Sequence, residues 1–102
     1  MTTFIYYFIP EDNENENKMN IFIIYKNIKD IRHEDIKDNF PLPGDYYFRF
    51  KYEFMEKNVW IDFNNYSGAL PRYDGKIIMK VTRLSWDNKN EQNTTNTDSL
   101  FM

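Results

Sequence analysis

Residues 46–52 read Tyr-Tyr-Phe-Arg-Phe-Lys-Tyr, and large aromatic side chains recur at every second position. Because neighbouring side chains of a strand point to opposite faces, four aromatic residues share one face of this stretch. They are Tyr46, Phe48, Phe50 and Tyr52. The opposite face carries Arg49 and Lys51, which favour contact with water. The pattern predicts a β-strand with one face against a core.

Four further segments on either side of this stretch have the composition of strands. Residues 4–9, 21–25, 58–63 and 76–84 are rich in aromatic and β-branched side chains, which pack well on a pleated surface. Residues 11–17, between the first two of these segments, consist of Asp, Glu and Asn alone, so they predict a long solvated loop. The first two strands therefore form a predicted hairpin.

A short helix is predicted between the second and third strands. Asp30 is a candidate N-cap, and Ile31, Ile36 and Phe40 lie near helical spacing. Pro41 ends the helix, because proline disfavours the helical conformation of the residue before it. The order β-β-α-β-β-β predicts an α+β fold, with one five-stranded mixed sheet and one short helix across a face.

The domain organisation follows from length and composition. A chain of 102 residues is the size of one domain. After Trp86 the sequence becomes almost wholly polar, which is typical of segments that cannot bury enough apolar surface to fold. We therefore expect one folded domain at residues 1–86 and a disordered polar tail or linker at residues 87–102.

Two segments are more apolar than a strand with one buried face requires. Residues 21–24 are apolar without interruption, so this strand is either an edge that associates with another strand or an internal strand buried on both faces. Trp60 lies on the face opposite Val59 and Ile61. It is either an exposed interface aromatic or a ring packed under the helix or the tail.

The sequence does not support catalysis or metal binding. It contains no Cys and a single His, His33, which we interpret as a surface or helix-capping residue. The acids of residues 11–16 lack the spacing and central Gly of a calcium loop, which favours a solvated loop. Gly68 and Gly75 do not form a phosphate-binding loop. We predict no enzyme activity, no catalytic residue, no metal site and no cofactor.

Nucleic acids and membranes are also unfavourable partners. The formal net charge is −3, whereas nucleic-acid binders carry an excess of basic residues. Arg49 and Lys51 among aromatic residues resemble a base-stacking platform, but a sheet face above a core is the ordinary explanation. No apolar run approaches the roughly 20 residues that span a bilayer. The lack of Cys fits a reducing compartment, so we expect a cytoplasmic protein that inserts into no membrane.

Three segments together carry a resemblance to a known family. They read Tyr-Phe-Arg-Phe-Lys at 47–51, Val-Trp-Ile-Asp at 59–62 and Leu-Pro-Arg-Tyr-Asp-Gly-Lys-Ile-Ile at 70–78. Ile-Tyr-Tyr at 5–7 and Asp-Ile-Lys at 35–37 match in order and spacing. Over about residues 3–84 the chain resembles the DIX domain, the polymerising module of Dishevelled, Axin and their relatives. Each segment alone is a weak indication of the family, but together they occur in the family's order and spacing, which makes the resemblance specific.

The resemblance implies a ubiquitin-like fold and head-to-tail self-association. In this family the edge of strand 2, the tail, pairs with the edge of strand 4 of the next molecule, the head. By position the tail falls at Asn20, Ile21 and Phe22, and the head falls at Val59 and Trp60. The implied partners are copies of the same chain and other DIX-like domains. The implied role is a scaffold for signalling or cell-polarity assemblies.

Two positions depart from the family pattern. Animal members often carry an aromatic residue where this chain has Asn20, and they carry a basic residue where it has Trp60. The first change removes apolar area from the tail, and the second adds apolar area to the head. Two functions follow as alternatives. One is head-to-tail self-association, and the other is a monomeric ubiquitin-like domain that binds a different protein through the same strand edges.

Overall fold

The computed structural model describes residues 1–63 and 68–85. These residues form five strands, one α-helix and two short 3-10 turns. The strands are β1 (Thr3–Phe8), β2 (Asn20–Ile24), β3 (Asp45–Phe54), β4 (Lys57–Asp62) and β5 (Ile77–Ser85), and the helix is α1 (His33–Asn39). The 3-10 turns are Pro10–Asp12 and Ile28–Asp30. The predicted tail at residues 87–102 lies outside the described residues, so the domain boundary stays a prediction.

All five strands join one mixed sheet in the order β2-β1-β5-β3-β4. β1 and β5 run parallel at the centre, and the other neighbouring pairs run antiparallel. The predicted hairpin of β1 and β2 is confirmed. The fold is α+β with a five-stranded sheet and one short helix, consistent with a ubiquitin-like fold as predicted.

The core lies between α1 and one face of the sheet. Alternate residues of the strands supply it, as their period of two requires. Its most deeply buried strand residues are Ile5, Phe50, Ile77, Met79 and Val81. The helix side contributes Ile31 and Ile36, which are fully buried. The interior is therefore one continuous aliphatic and aromatic layer.

His33 belongs to this core. It is 8 % exposed, and its ring packs edge-on against Phe48 and Phe50 at centroid distances of 5.9 and 6.3 Å. The expectation of a surface or helix-capping residue is wrong, because the first turn of α1 points this side chain at β3. The ring therefore serves packing in the interior.

The N-cap of the helix lies two residues after the predicted one. Asp30 ends a 3-10 turn, and the N-cap of α1 is Arg32. The buried Ile31 keeps the backbone extended between them. The Asp35 carboxylate accepts the backbone N–H of Arg32 at 2.9 Å and the Lys26 ammonium at 2.9 Å. Burial disfavours this carboxylate, but the two hydrogen bonds outweigh burial and lower its pKa.

Phe40, at the end of α1, joins the helix to three strands. Its ring makes edge-on contacts with one aromatic ring on β1, one on β2 and two on β3, at centroid distances of 4.9 to 5.8 Å. These rings are Tyr7, Phe22, Tyr46 and Phe48. Edge-on aromatic pairs stabilise beyond the area that they bury. We call these five residues the aromatic cluster.

We predict that Phe40→Ala destabilises the domain by about 3 kcal/mol, because it leaves a cavity among four rings. Leu84→Ala is the control, since Leu84 is exposed and its truncation should cost less than about 0.5 kcal/mol. Urea denaturation monitored by circular dichroism measures both. Equal midpoints for the two variants would show that the aromatic cluster is not a main source of stability.

Candidate interaction surfaces

The sheet ends in two strands that have a neighbour on one side. β2 pairs with β1, β4 pairs with β3, and no other strand of the described residues pairs with the outer side of either. An outer strand presents a row of backbone N–H and C=O groups that can pair with another strand. The two edges lie at opposite ends of one sheet, so each molecule has one of each.

The β2 edge has one buried and one exposed face. Phe22 and Ile24 are buried against the core, whereas Ile21 and Ile23 are exposed. Of the two interpretations of the apolar run, the internal strand buried on both faces is wrong, and the edge strand is confirmed. The ring of Phe22 belongs to the aromatic cluster, so at this edge Phe22 offers its backbone.

An apolar patch lies beside this edge, on the sheet face opposite α1. Ile23 pairs across the strands with Phe4, and Ile21 pairs with Tyr6. Cross-strand partners share a face and touch. Ile21 is 55 % exposed and Phe4 is 51 % exposed. We call Phe4, Ile21 and Ile23 the edge patch, which gives β2 an apolar flank that water does not favour.

Asn20 is held in place by the loop before it. Its side-chain amide donates to Glu14 Oε1 at 2.8 Å, and the same oxygen accepts the backbone N–H of Ile9 at 2.9 Å. Glu14 therefore joins the end of β1 to the start of β2. Burial raises the pKa of Tyr7, and the negative charge of the Glu14 carboxylate raises it further. Sequence reasoning missed this role of Glu14, because nothing in a run of acids and Asn singles it out.

The β4 edge places Val59 and Trp60 on opposite faces. Val59 pairs with Tyr52, and Trp60 pairs with Lys51 on the face away from α1. Both side chains are half-buried. Trp60 does not pack under the helix. Its ring lies edge-on to Phe8 at 5.7 Å, with Lys80 Nζ 4.8 Å from the ring centroid. These contacts hold the indole in one position beside the edge.

The acidic loop between β1 and β2 is bound to the sheet. Asp12 accepts two hydrogen bonds from the guanidinium of Arg83, at 2.8 and 2.9 Å. Glu16 pairs with Lys51. The loop is exposed to solvent as expected, and in addition these two acids find basic partners more than thirty residues away in the chain. The hydrogen bonds from Arg83 lower the pKa of Asp12, and those to Asp12 raise the pKa of Arg83.

The basic residues of the face opposite α1 stack on the domain's own aromatic rings. Four such pairs have their charged group 4.2 to 6.0 Å from a ring centroid. They are Arg49 with Tyr47, Lys51 with Tyr73, Lys76 with Tyr6 and Lys80 with Trp60. Cations over ring faces are attracted by the ring quadrupole. The mixture of basic and aromatic residues on this face thus has a packing role within the domain.

Neither a metal centre nor a membrane span is found among residues 1–63 and 68–85. No group of three or more His, Cys, Asp or Glu side chains in these ranges is placed to hold a metal ion. No helix in the same ranges is both long and apolar enough to cross a bilayer.

Comparison with models of known protein families gives a match over most of the chain. The family model described as the DIX domain matches residues 1–81. That match includes all of β1 to β4 and the first half of β5. A search of curated proteins for relatives of the chain gave no match.

We predict that Asp12→Asn reduces the acid sensitivity of the fold. The pKa of Asp12 lies below its ordinary value of 3.8 in the folded state, so its pair with Arg83 stabilises the fold fully above that value. The contribution disappears as the pH falls from 3.8 through the lower folded pKa. Thermal unfolding of Asp12→Asn from pH 6 to pH 2 should therefore show a shallower loss of stability than the wild type. Arg83→Gln removes the other partner of the same pair and should give the same shallower loss, so a wild-type slope in both variants would contradict the prediction.

Proposed function

Because this chain belongs to the DIX domain family, whose members are non-catalytic signalling modules that polymerise head to tail, we propose that it self-associates through the edges of β2 and β4. The tail comprises Asn20, Ile21 and the backbone of Phe22. The head comprises Val59 and Trp60. The assembly acts as a scaffold in the cytoplasm, where DIX proteins generally act.

The position of the two edges is the observation that supports this proposal. β2 and β4 lie at opposite ends of one sheet. Addition of β4 of one molecule to β2 of the next extends the sheet through backbone hydrogen bonds, while side chains supply specificity. Because the two surfaces differ, the contact is heterologous, and each new molecule exposes a fresh head or tail. Growth then continues as an open filament.

The side chains at the tail compensate for the missing aromatic residue at Asn20. Its amide is already hydrogen-bonded to Glu14, so it fixes the start of β2 and leaves apolar contact to Ile21 and Ile23. Full burial of one such side chain is worth about 1.5–3 kcal/mol. The edge patch therefore supplies the apolar area that an aromatic residue gives elsewhere in the family.

At the head, Trp60 is fixed before any partner arrives. Phe8 and Lys80 hold its ring, so association loses little side-chain freedom there. Tryptophan is among the residues that contribute most to binding energy at interfaces. A tryptophan in place of a basic residue moves the head contact from charge towards apolar burial, which matches the exposed isoleucines of the tail.

We predict that Ile21→Asp and Trp60→Asp each weaken self-association by at least about a hundredfold, because each places a carboxylate in a contact that excludes water. Sedimentation velocity over a wide concentration series measures the effect. The wild type should grow into large species, and each variant should stay monomeric. An equimolar mixture of the two should give dimers, since one intact head and one intact tail remain.

Two controls accompany this experiment. Leu84→Asp changes an exposed apolar residue on the central strand β5 and should leave assembly unchanged. Val59→Asp is a second head variant that leaves the Trp60 contacts with Phe8 and Lys80 in place, and circular dichroism checks that every variant is folded. Assembly that persists in folded head and tail variants would contradict the assigned edges. A wild type that is monomeric at all concentrations would instead favour a different protein as the partner of these edges.

A further inference from the structure

The tip of the β3–β4 hairpin carries exposed apolar side chains in a turn that does not favour them. Met55 is 79 % exposed and Phe54 is 55 % exposed. Met55 and Glu56 both have positive φ, at 52° and 64°. Two-residue turns of this kind favour Asn and Gly, because other side chains are strained there. Met55 thus contributes neither core packing nor turn stability, and such a departure points to a contact with another molecule.

Tyr25 is a second exposed aromatic residue, at the opposite edge of the sheet. It directly follows β2 and is 78 % exposed. The pairing of β2 with β1 ends at Ile24, so Tyr25 extends beyond the paired part of the strand. A tyrosine supplies a large, rigid contact area at a low cost in conformational entropy. Tyr25 and the hairpin tip therefore both offer exposed apolar surface for a contact.

Strand direction decides whether these two features meet. β4 begins at Lys57, next to the hairpin tip, and β2 ends next to Tyr25. In an antiparallel pair, the end of β2 lies beside the start of β4, and Tyr25 reaches the tip. In a parallel pair the tip lies at the start of β2, about 17 Å away for a strand of five residues. Only one direction brings the apolar groups together.

Charge favours the same direction. Lys18 precedes β2, Lys57 begins β4 and Asp62 ends β4. Parallel pairing places Lys57 beside Lys18, two like charges whose approach costs free energy. Antiparallel pairing places Lys18 at the Asp62 end of β4, where the charges are opposite. It also brings Lys57 towards Lys26, but the charge of Lys26 is already paired with Asp35 at 2.9 Å. Apolar contact and charge thus agree.

We propose that β2 of one copy pairs antiparallel with β4 of the next, and that Tyr25 packs against Phe54 and Met55 of that next copy. This inference rests on the proposed head-to-tail association and adds to it the strand direction and a second contact at one end of the interface. The parallel pairing is disfavoured, because it leaves Tyr25 and Met55 both exposed to water. The two residues therefore favour one direction of strand pairing in the contact.

Disulfide trapping tests the direction, and the chain suits it because it contains no Cys. One protein combines the tail block Ile21→Asp with Met55→Cys in its intact head. The other combines the head block Trp60→Asp with Tyr25→Cys beside its intact tail. A matched probe replaces Tyr25→Cys by Lys18→Cys, at the other end of β2. Each mixture forms one kind of productive contact, and mild oxidation followed by non-reducing electrophoresis measures the cross-linked heterodimer.

We expect the 25–55 pair to cross-link at least about ten times faster than the 18–55 pair, because a disulfide needs Cβ atoms roughly 4 Å apart. Faster cross-linking of the 18–55 pair would overturn the antiparallel direction. Heterodimers that sediment normally but cross-link at neither pair would overturn the contact at the hairpin tip. If no heterodimer sediments at all, the head-to-tail association itself fails, and this inference fails with it.

The contribution of the side chains is measured separately in cysteine-free proteins. Tyr25→Ser in the head-blocked partner and Met55→Ser in the tail-blocked partner should each weaken the heterodimer about tenfold. Leu84→Ser is the control, because Leu84 is also an exposed apolar residue, at 61 %, but lies on the central strand β5. Equal affinities for all three variants would show that the Tyr25 and Met55 side chains make no contact in the assembly.

Discussion

The aromatic cluster around Phe40 is the interaction on which the rest of this structure depends. A helix of seven residues spans only about 10 Å, so it buries little surface by itself. Phe40 extends that small helix by one large ring, which contacts β1, β2 and β3 together. The core closes on one face of the sheet as a result. Each outer strand keeps one side without a strand partner among the described residues, and the proposed contacts use these two sides.

The same cluster connects the core to the outer strand β2. Phe22 lies in the cluster, while its neighbours Asn20 and Ile21 face Glu14 and water. Ring contacts of Phe22 hold one face of β2, and the Glu14 carboxylate holds its start. These contacts fix the register of β2 and therefore which of its side chains face the core. The exposed isoleucines therefore point in a defined direction. A fixed edge loses less freedom on pairing than a mobile one, which favours association through a short strand.

The sequence predicted the elements well and the contacts between distant elements poorly. Alternation in residues 46–52 and 58–63 identified β3 and β4 to within two residues, because a half-buried strand imposes a period of two. The pair of Asp12 with Arg83 spans 71 residues of sequence, so no local pattern reveals it. Trp60 was placed on the correct face, but its packing against Phe8 depends on the strand order, which periodicity alone leaves open.

Exposed edge strands promote aggregation, so proteins usually shorten, charge or cover them. In this domain the two outer strands are short but are not covered by another described strand. β2 has five residues and β4 has six, so any strand added to them forms few hydrogen bonds. Short edges limit uncontrolled aggregation. They also make one contact weak, and weak contacts break quickly unless many act together. A chain of such contacts gains strength from multivalency, because every attached partner raises the effective concentration of the others. Short, fixed and apolar-flanked edges therefore suit a scaffold that assembles above a threshold concentration and disassembles below it.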